Sequence, residues 1–399
     1  MEMDMPREFQ AQIDDVYLCG GTCAGCILTE DDRRTSQVMN DDLFQKALSA
    51  IVQHANFLAD SEEYDTKAIN LSLAIGDHFR MNSEHFKNRL TKTLDMLSLC
   101  NLKERGLFVS SSLIDNEIIT RKFLDIMVNC RIDYPYIDIV PLLVFDPSKA
   151  SHHTFGDRYV RSILYARELF DRIDLTINLS SEAINHATPE DIHDFSVRHG
   201  FKDVTINWVP THDNIHGTMH DVQKVQEWLV NFGALVRTNG KIDTSFVPVA
   251  DRLIQSYQGR RMAFDELCES WVDTISHSIE IDKDGNILAK TEAIGDVPIS
   301  PIYDKLWKMG HVETDTIMDA VAKTIPKVVS MNISTYMGSR NCATCEFLYP
   351  CMNSGAIVYN WIANRYGIVG NDCHNSVMKG VFQQALEWCS ANERQVVNA

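Results

Sequence analysis

This 399-residue sequence has little positive charge, no long apolar run and no export signal. Its 37 lysines and arginines are outnumbered by 55 aspartates and glutamates, which gives a net charge of −18. Since no basic run could follow a phosphate backbone, nucleic acid is excluded as a partner. No apolar run approaches the roughly 20 residues of a membrane span, and Met1 to Arg7 is polar and acidic, unlike a signal peptide. These absences predict a soluble cytoplasmic protein that binds no membrane.

Cysteine, in contrast, is abundant. The chain has eleven cysteines, and without an export signal this number favours metal or redox chemistry over disulfides. Seven of them fall into two sets, which leaves four scattered ones: Cys100, Cys130, Cys268 and Cys389. We expect these four to be buried small hydrophobic residues. The alternative is a catalytic thiol among them, for which Cys268 is the best placed.

The first cysteine set is Cys19, Cys23 and Cys26, directly after the short apolar run Val16 to Leu18. A strand that ends there continues into a loop whose glycines at positions 20, 21 and 25 let three thiolates turn toward one point. Three soft ligands from one loop suit an iron–sulfur cluster. A structural zinc site usually takes four ligands from two separated pairs, and no fourth cysteine or histidine lies nearby. A zinc-binding or reactive loop is the alternative.

The second cysteine set contains Cys342, Cys345, Cys351 and Cys373. Upstream of it, Ser278 to Ala289 is predicted to form a hairpin, because alternating apolar residues flank Asp284-Gly285, a favoured tight turn. A short helix is expected at Ile302 to Met309. Four cysteines with this spacing predict a four-thiolate site that holds either zinc or an iron–sulfur cluster.

Between the two sets, short apolar runs alternate with longer amphipathic ones. Helices are predicted at 41–58, 83–99, 116–130, 158–170, 189–199 and 222–239. Strands are predicted at 68–75, 107–110, 137–145, 175–179 and 204–209, after a first strand that precedes Cys19. Six such units predict an α/β protein, a partial (β/α)6 TIM-type barrel with a C-terminal cysteine-rich α+β extension. In barrels of this type the loops at the carboxyl ends of the strands hold the reacting groups.

The same pattern suggests where the chain divides. We expect four regions: an N-terminal segment at 1–14, the barrel at 15–240, a connecting helical segment at 241–275 and the cysteine-rich extension at 276–399. Residues that typically precede or begin helices support two of the helix starts that are predicted within the barrel. Asn40 precedes the first predicted helix, and Thr188 and Pro189 supply a cap and a first-turn proline for another.

The spacing Cys19-x3-Cys23-x2-Cys26 after a first strand resembles the radical S-adenosylmethionine (SAM) superfamily. The resemblance implies a [4Fe-4S] cluster with one open iron, to which the methionyl amine and carboxylate of SAM bind. One departure is Gly25, since the family usually has an aromatic residue before the third cysteine. The resemblance extends from about Asp15 to Trp388, and its specific parts are the two cysteine sets.

The hairpin, the glycine-containing turn, the helix and the C-x2-C-x5-C spacing resemble the SPASM extension of radical SAM enzymes that modify peptides. That extension reads C-x2-C-x5-C-x3-C-x17-C and holds two auxiliary [4Fe-4S] clusters. Here Gly355 stands at the fourth cysteine, Lys290 stands near another expected one, and 279–301 contains none. The resemblance therefore implies one auxiliary [4Fe-4S] cluster, held by all four cysteines of the second set, with a structural or electron-transfer role. Zinc in this site is the alternative.

The resemblance also implies SAM contacts at the strand ends. Gly76 and Asp77 stand where the family has a Gly-Gly-Glu type motif that binds the SAM amino group, although they could simply form a turn. Ser111 could bond the ribose or the methionyl carboxylate, and Asn178 ends the fifth strand. Arg158 could clamp the SAM carboxylate, or be a solvated arginine at a helix start.

A histidine-rich segment follows the sixth predicted strand: His212, His216 and His220 recur at four-residue intervals. On a helix these side chains would face one way and could bind a metal. Asn214 and Gly217 make a helix doubtful, so substrate contact and an ordinary polar loop are the other interpretations.

The function implied by the resemblance is reductive cleavage of SAM to a 5′-deoxyadenosyl radical, which takes a hydrogen atom from a C–H bond. An external electron donor is required. The expected outcome is oxidative modification of a ribosomally made peptide, by cross-linking, dehydrogenation or cleavage, with epimerisation if a thiol quenches the substrate radical. Since the barrel begins almost at once, no leader-binding domain is expected before Cys19. The alternatives are a small-metabolite substrate and a non-catalytic iron–sulfur or zinc protein.

Overall fold

The computed structural model describes residues 7–19, 35, 37–62, 64–113, 117–150, 156–179, 181–208, 222–244, 246–257, 264–289, 308–338, 344–353 and 376–397. Within these ranges the strands are β1 (Arg7–Val16), β2 (Thr66–Ile75), β3 (Glu104–Ser111), β4 (Asp138–Phe145), β5 (Asp174–Leu179), β6 (Asp203–Trp208), β7 (Ser278–Ile281), β8 (Asn286–Ala289) and β9 (Lys308–His311). The helices are α1 (Asp41–Asp60), α2 (Ser83–Leu97), α3 (Glu117–Asp133), α4 (Pro147–Ala150), α5 (Gly156–Leu169), α6 (Ser181–His186), α7 (Pro189–His199), α8 (Val222–Asn239), α9 (Phe246–Tyr257), α10 (Phe264–Ser276), α11 (Ile317–Gly338), α12 (Leu348–Asn353) and α13 (Ser376–Val397). A single 3-10 turn, His78–Arg80, follows β2.

All these strands belong to one sheet with the order β6-β5-β4-β3-β2-β1-β7-β8-β9. The strands from β1 to β6 are parallel and adjacent in sequence order, with helices between them. On the other side of β1, β7 pairs in parallel, and β8 and β9 continue the sheet in antiparallel fashion. This arrangement confirms the predicted α/β partial barrel with a C-terminal extension.

The two faces of the barrel strands differ in polarity. On β1, the ring of Phe9 packs against His54 of α1, with 5.1 Å between the ring centroids, so the odd-numbered positions face the helices. Gln12 points the opposite way, and the strand register puts Ser72 and Thr176 on the same side. This second face is the inside of the barrel. Its polar side chains make it suitable for holding a polar ligand.

Most predicted elements are confirmed within a few residues, but two predictions were wrong. The first strand ends at Val16 rather than beginning there, because the pattern that marks it alternates between polar inner positions and apolar outer ones. The last two residues of the helix that was expected at Ile302 to Met309 belong instead to β9, and 302–307 lie outside the described residues. The strand forms because it pairs with the exposed edge of β8. The hairpin at Asp284-Gly285 is confirmed, and Gly285 has a φ of 83°, as its tight turn requires.

The helix boundaries follow from the capping residues that the sequence suggested. The Asn40 side chain accepts a hydrogen bond from the Leu43 amide at 2.8 Å, which satisfies one of the free amides at the start of α1. Thr188 and Asp191 form a reciprocal capping box at the start of α7, with Pro189 in the first turn. These local signals explain why the predicted and observed bounds of α1 and α7 agree so closely.

The last described helix returns to the barrel. Gln384 of α13 bonds to Arg237 of α8, and Arg237 in turn forms an ion pair with Asp251 of α9. The Arg237 side chain is only 3% exposed. These contacts fix α13 to the barrel helices. No helix among the described residues is long and apolar enough to cross a membrane.

Candidate active site

Cys19 lies at the carboxyl end of β1, with its side chain partly exposed. We call residues 15–17 and 37–39 the two arms of the cysteine loop, because they precede and follow the segment that carries the first cysteine set. The arms are joined by two backbone hydrogen bonds of 2.8 and 2.9 Å, from the Met39 amide to the Asp15 carbonyl and from the Tyr17 amide to the Gln37 carbonyl. These bonds fix where the loop leaves the barrel and where it rejoins it.

The end of β2 comes unusually close to the first arm. A Cβ atom built on Gly76 would lie 2.1 Å from the carbonyl oxygen of Val16 and 2.9 Å from that of Leu18, so only glycine fits. The next amide, from Asp77, donates to the Leu18 carbonyl at 2.7 Å. The preceding residue, Ile75, has a φ of 78°, which is strained for a β-branched side chain. The strained turn presses the Gly76-Asp77 pair against the backbone next to Cys19.

The carboxylate of Asp77 ties the end of β2 to the end of β3. It accepts hydrogen bonds from the hydroxyl of Ser111 at 2.9 Å and from the hydroxyl of Ser112. It also accepts one from the amide of Phe79 at 3.2 Å, and the residue is 1% exposed. Gly76 and Asp77 therefore do more than form a turn, because they connect three neighbouring strand ends. Their predicted contact with SAM stays a prediction.

Directly behind the first arm is a buried network that the sequence analysis missed. The Asp15 carboxylate lies 2.7 Å from Nε2 of His78 and 2.6 Å from Nη1 of Arg89. The other ring nitrogen of His78 is 3.2 Å from the Ser110 carbonyl oxygen, and Nη2 of Arg89 donates to the Met39 carbonyl. The side chains of Asp15, His78 and Arg89 are 0%, 2% and 3% exposed. Five separate segments therefore meet in one charged cluster next to the two arms.

The charges in this network stabilise one another. Burial opposes ionisation of Asp15, but the electrostatic effects of His78 and Arg89 and their hydrogen bonds outweigh it, so the pKa of Asp15 lies below its ordinary value. The guanidinium of Arg89 also lies 4.5 Å from the centre of the Phe44 ring, which supports it from below. One signal could have found the arginine: it occupies a buried position of an amphipathic helix between Phe86 and Leu90.

The remaining predicted SAM contacts are distributed along the same edge. Ser111 is buried at the end of β3 and bonds Asp77, as described above. Arg158 lies in the first turn of α5 and is exposed, so its side chain can reach solvent or a ligand. The backbone of Asn178 lies at the end of β5, and its side chain is outside the described part of the structure. Among these residues, the structure brings together Gly76, Asp77 and Ser111.

Both cysteine sets are only partly described. Cys345 and Cys351 lie at the two ends of a short segment that includes the start of α12, and both are half-buried. Outside the described residues lie Cys23, Cys26, Cys342, Cys373, Lys290, Gly355, His212, His216 and His220. Within the described ranges no three histidine, cysteine or carboxylate side chains converge as metal ligands, since four of the seven predicted cysteine ligands lie elsewhere.

The scattered cysteines are buried, with one exception. Cys100, Cys130 and Cys389 are buried, as predicted, whereas Cys268 is partly exposed. Burial raises the pKa of the Cys100 thiol to about 11. The pKa of Cys268 is also raised, by desolvation and by the neighbouring carboxylates of Asp265 and Glu269. Since the thiolate is the reactive form, this environment does not favour Cys268 as a catalytic thiol.

The sequence matches no protein-family model and no curated protein. The backbone, however, shares its fold with solved structures of other proteins. It is similar to anSMEcpe with bound AdoMet and the Cp18Cys peptide, at 12% sequence identity and a TM-score of 0.58, over 98% of this chain and 99% of that one. It is also similar to SuiB of Streptococcus suis bound to the precursor peptide SuiA, at 12% identity and a TM-score of 0.55, over 93% of this chain and 76% of that one.

Proposed function

We propose that this protein is a radical SAM enzyme that oxidatively modifies a ribosomally made peptide. Its fold is that of radical SAM enzymes, and two solved proteins of this fold are named as complexes with AdoMet and with peptides. The modification would be a cross-link, a dehydrogenation or a cleavage. An external electron donor starts each turnover.

The proposal depends on the carboxyl ends of β1 and β2, which meet beside Cys19. The approach at Gly76 leaves no space for a Cβ atom, and the Asp77 amide is bonded to the Leu18 carbonyl at 2.7 Å. A loop anchored this tightly can hold three thiolates in fixed positions at the edge of the barrel where such enzymes react. This is the observation that carries the assignment.

The donor set fits an iron–sulfur cluster. Cys19, Cys23 and Cys26 supply three soft thiolates, which suit iron better than hard cations. With SAM bound, a cluster held by these residues would supply a 5′-deoxyadenosyl radical on reduction. Cys342, Cys345, Cys351 and Cys373 would hold a second, fully ligated [4Fe-4S] cluster. Gly76, Asp77, Ser111, Arg158 and Asn178 are the proposed SAM contacts.

The protein's own residues bind and orient the reactants. Asp77 holds the ends of β2 and β3 together through Ser111, so the SAM-facing edge is rigid before any ligand binds. The inner face of the barrel carries polar side chains such as Gln12 and Ser72, which suit a polar ligand such as a peptide backbone. Loss of one hydrogen atom, one electron and one proton from the peptide accounts for the net oxidation. The second cysteine set would hold the electron acceptor.

Anaerobic reconstitution tests the proposal. We expect about eight iron atoms per chain, four for each of two cubanes, and release of 5′-deoxyadenosine from SAM on reduction. Cys23→Ala should abolish this release while the second cluster is retained. Cys345→Ala is the matched control, because it removes a ligand of the other set and should leave SAM cleavage measurable. A wild-type protein that takes up iron but never cleaves SAM would contradict the enzyme assignment.

The substrate class needs a separate test. Peptides encoded beside the gene should be incubated with the reduced holoenzyme and SAM, and their masses compared with those from the Cys23→Ala protein. We expect a loss of hydrogen from one of the peptides that depends on SAM. If SAM is cleaved but no peptide changes, a small-metabolite substrate takes its place. Zinc in place of half the expected iron would instead remove the electron-accepting role of the second set.

A further inference from the structure

Arg89 connects the two arms of the cysteine loop through its guanidinium group. Nη1 bonds the Asp15 carboxylate of the first arm at 2.6 Å, and Nη2 donates to the Met39 carbonyl of the second arm. Nη2 also lies 3.3 Å from the Asp41 carboxylate, at the start of α1. One rigid planar group thus holds the chain on both sides of the segment that contains Cys19, Cys23 and Cys26.

The position of this guanidinium is itself fixed. Its Nε donates to Nε2 of His85 at 2.8 Å, and its carbon lies 4.5 Å from the centre of the Phe44 ring. Its partner Asp15 is also bonded to His78, whose second ring nitrogen faces the Ser110 carbonyl. Since Arg89 is nearly fully buried, a displaced guanidinium would lose these bonds without gaining water. The connection between the arms therefore has a single favourable geometry.

We propose that Arg89 is a positioning residue for the iron–sulfur cluster of the first cysteine set, acting by fixing the distance between the two arms of its loop. This inference rests on the proposed function, which assigns the cluster to Cys19, Cys23 and Cys26. Arg89 touches none of these thiolates. Its effect on the cluster passes through Asp15 on one side and through the Met39 carbonyl on the other.

The geometry distinguishes this role from a general contribution to stability. Lysine at position 89 would keep the positive charge, but its ammonium donates from one atom on a flexible stem and lacks the planar fork whose two nitrogens bond the two arms. The charge balance of the buried network would survive, while the connection between the arms would be weakened. Arg89→Lys is therefore the informative variant, and Asp15→Asn tests the other end of the same connection.

Arg237 offers a matched control. It is as buried as Arg89, at 3% side-chain exposure, and also pairs with an aspartate, Asp251. Its bonds connect α8, α9 and α13, and among the described residues they involve neither arm of the cysteine loop. Arg237→Lys should lower thermal stability to a degree similar to Arg89→Lys and leave the first cluster unchanged.

The experiment compares wild type, Arg89→Lys and Arg237→Lys as reconstituted holoenzymes. Removal of iron by a chelator is followed without reductant, and the reduced proteins are examined by electron paramagnetic resonance with and without SAM. The signal that changes on SAM addition reports the first cluster, and the signal that does not change reports the second. We expect Arg89→Lys to speed loss of the first cluster about tenfold, as for residues that orient metal ligands, and to alter the SAM-dependent signal. The second cluster is the internal reference and should be unaffected.

A second measurement, made without metal, still tests the proposal if the Arg89→Lys protein binds no cluster. In the apoprotein, hydrogen exchange at the amides of Tyr17 and Met39 reports the bonds between the arms. We expect exchange about tenfold faster in Arg89→Lys than in wild type, which corresponds to weakening of one interaction by about 1.4 kcal/mol. Arg237→Lys should leave these two amides as in wild type.

The possible results distinguish a failure of the positioning role from a failure of the proposed enzyme function. If wild type cleaves SAM and Arg89→Lys matches it in cluster loss, spectrum and exchange, the positioning role is wrong and the enzyme assignment stands. Equal effects of Arg237→Lys and Arg89→Lys on the first cluster would likewise overturn the positioning role. If wild type takes up no cluster at the first set, both proposals fail together.

Discussion

The charged side chains at the two ends of the barrel strands differ in how deeply they are buried. At the carboxyl end, Asp15, His78 and Arg89 are 0–3% exposed and bonded within one closed network. At the amino end, Arg172 bridges Asp138 and Asp203 at 3.0 and 3.1 Å, but the three side chains are 31–46% exposed. The first arrangement holds its groups in one geometry, whereas the second exchanges its bonds with water at little cost. The rigid end is the one that carries the cysteine loop.

The two ends of the barrel also differ in how tightly they are packed. The amino end opens into a cavity of about 800 Å³ lined by side chains that include Glu8, Asn70, Arg105, Tyr136 and Arg172. At the carboxyl end the backbone of β2 is packed against that of β1 so closely that Gly76 has no space for a side chain. A barrel of this kind uses its carboxyl end for chemistry and its amino end for stability. The tight packing here belongs to the end that carries Cys19, which is the proposed reactive end.

Removing one buried carboxylate should have the largest effect. Asp15→Ala leaves the Arg89 guanidinium buried without its nearest carboxylate, and we expect a loss of about 3–5 kcal/mol in the free energy of unfolding. Asp138→Ala at the amino end breaks a solvated pair and should lose about 1 kcal/mol or less. Urea denaturation of the two apoproteins measures both values. Similar losses would show that the two ends do not differ as described.

Filling the space at Gly76 should come next. Gly76→Ala forces a methyl group against the carbonyl oxygens of Val16 and Leu18, and we expect a loss of about 3 kcal/mol together with loss of SAM cleavage. Gly240, near the amino end, is the control: it has nothing within 4 Å of an added Cβ, and its φ of 57° limits the loss to about 1–2 kcal/mol. SAM cleavage should persist in Gly240→Ala. Retained cleavage in Gly76→Ala would remove the special role of this contact.

The inner face near the amino end holds a carboxylate that weakens the protein at neutral pH. Burial raises the pKa of Asp174 from 3.8 to about 6, against a hydrogen bond from Thr205 at 3.0 Å. Between these pH values the folded state holds a proton that the unfolded state has released, so stability falls as the pH rises through this window. A shift of about two units corresponds to roughly 3 kcal/mol, which partial exposure of the residue reduces to about 2 kcal/mol.

Asp174→Asn tests this reasoning directly. The asparagine keeps an oxygen that can accept from Thr205 but carries no charge. We expect the variant to be more stable than wild type by about 2 kcal/mol at pH 8, and to match it below pH 4, where the wild-type carboxyl is protonated in both states. Thermal unfolding across this pH range provides the measurement. A constant difference at every pH would mean that the substitution acts by packing rather than by charge.

The barrel could be predicted from the sequence because its signals are local. Strands such as β4 are apolar at every position after the first, and α1 and α7 begin directly after residues that cap helices. The start of β1 was missed because Gln10, Gln12 and Asp14 alternate with its apolar residues and interrupt the apolar run. When the sheet is not known, a strand in which polar and apolar residues alternate is hard to distinguish from an irregular segment.

The candidate site was predicted only in part, for a different reason. The cysteines and Gly76-Asp77 are recognisable because each set lies within a short segment. The charged network joins Asp15 to His78 and Arg89. These two residues lie 63 and 74 positions after the aspartate, and they approach it only in the folded barrel. Nothing local marks Asp15 as different from its neighbour Asp14. Only the alternation of β1, once its register is known, directs Asp15 toward α2.

Arg172 should give the smallest effect, although it pairs with two carboxylates at the amino end. Its partners Asp138 and Asp203 are both partly solvated, so removing Arg172 leaves neither carboxylate buried without a partner. We expect Arg172→Gln to lose about 1 kcal/mol or less at low ionic strength, and less still in 1 M salt, where exposed charges are screened. Urea denaturation at two salt concentrations measures this dependence. A loss that is several-fold larger and insensitive to salt would mean that the amino end is as rigidly paired as the end that carries Cys19.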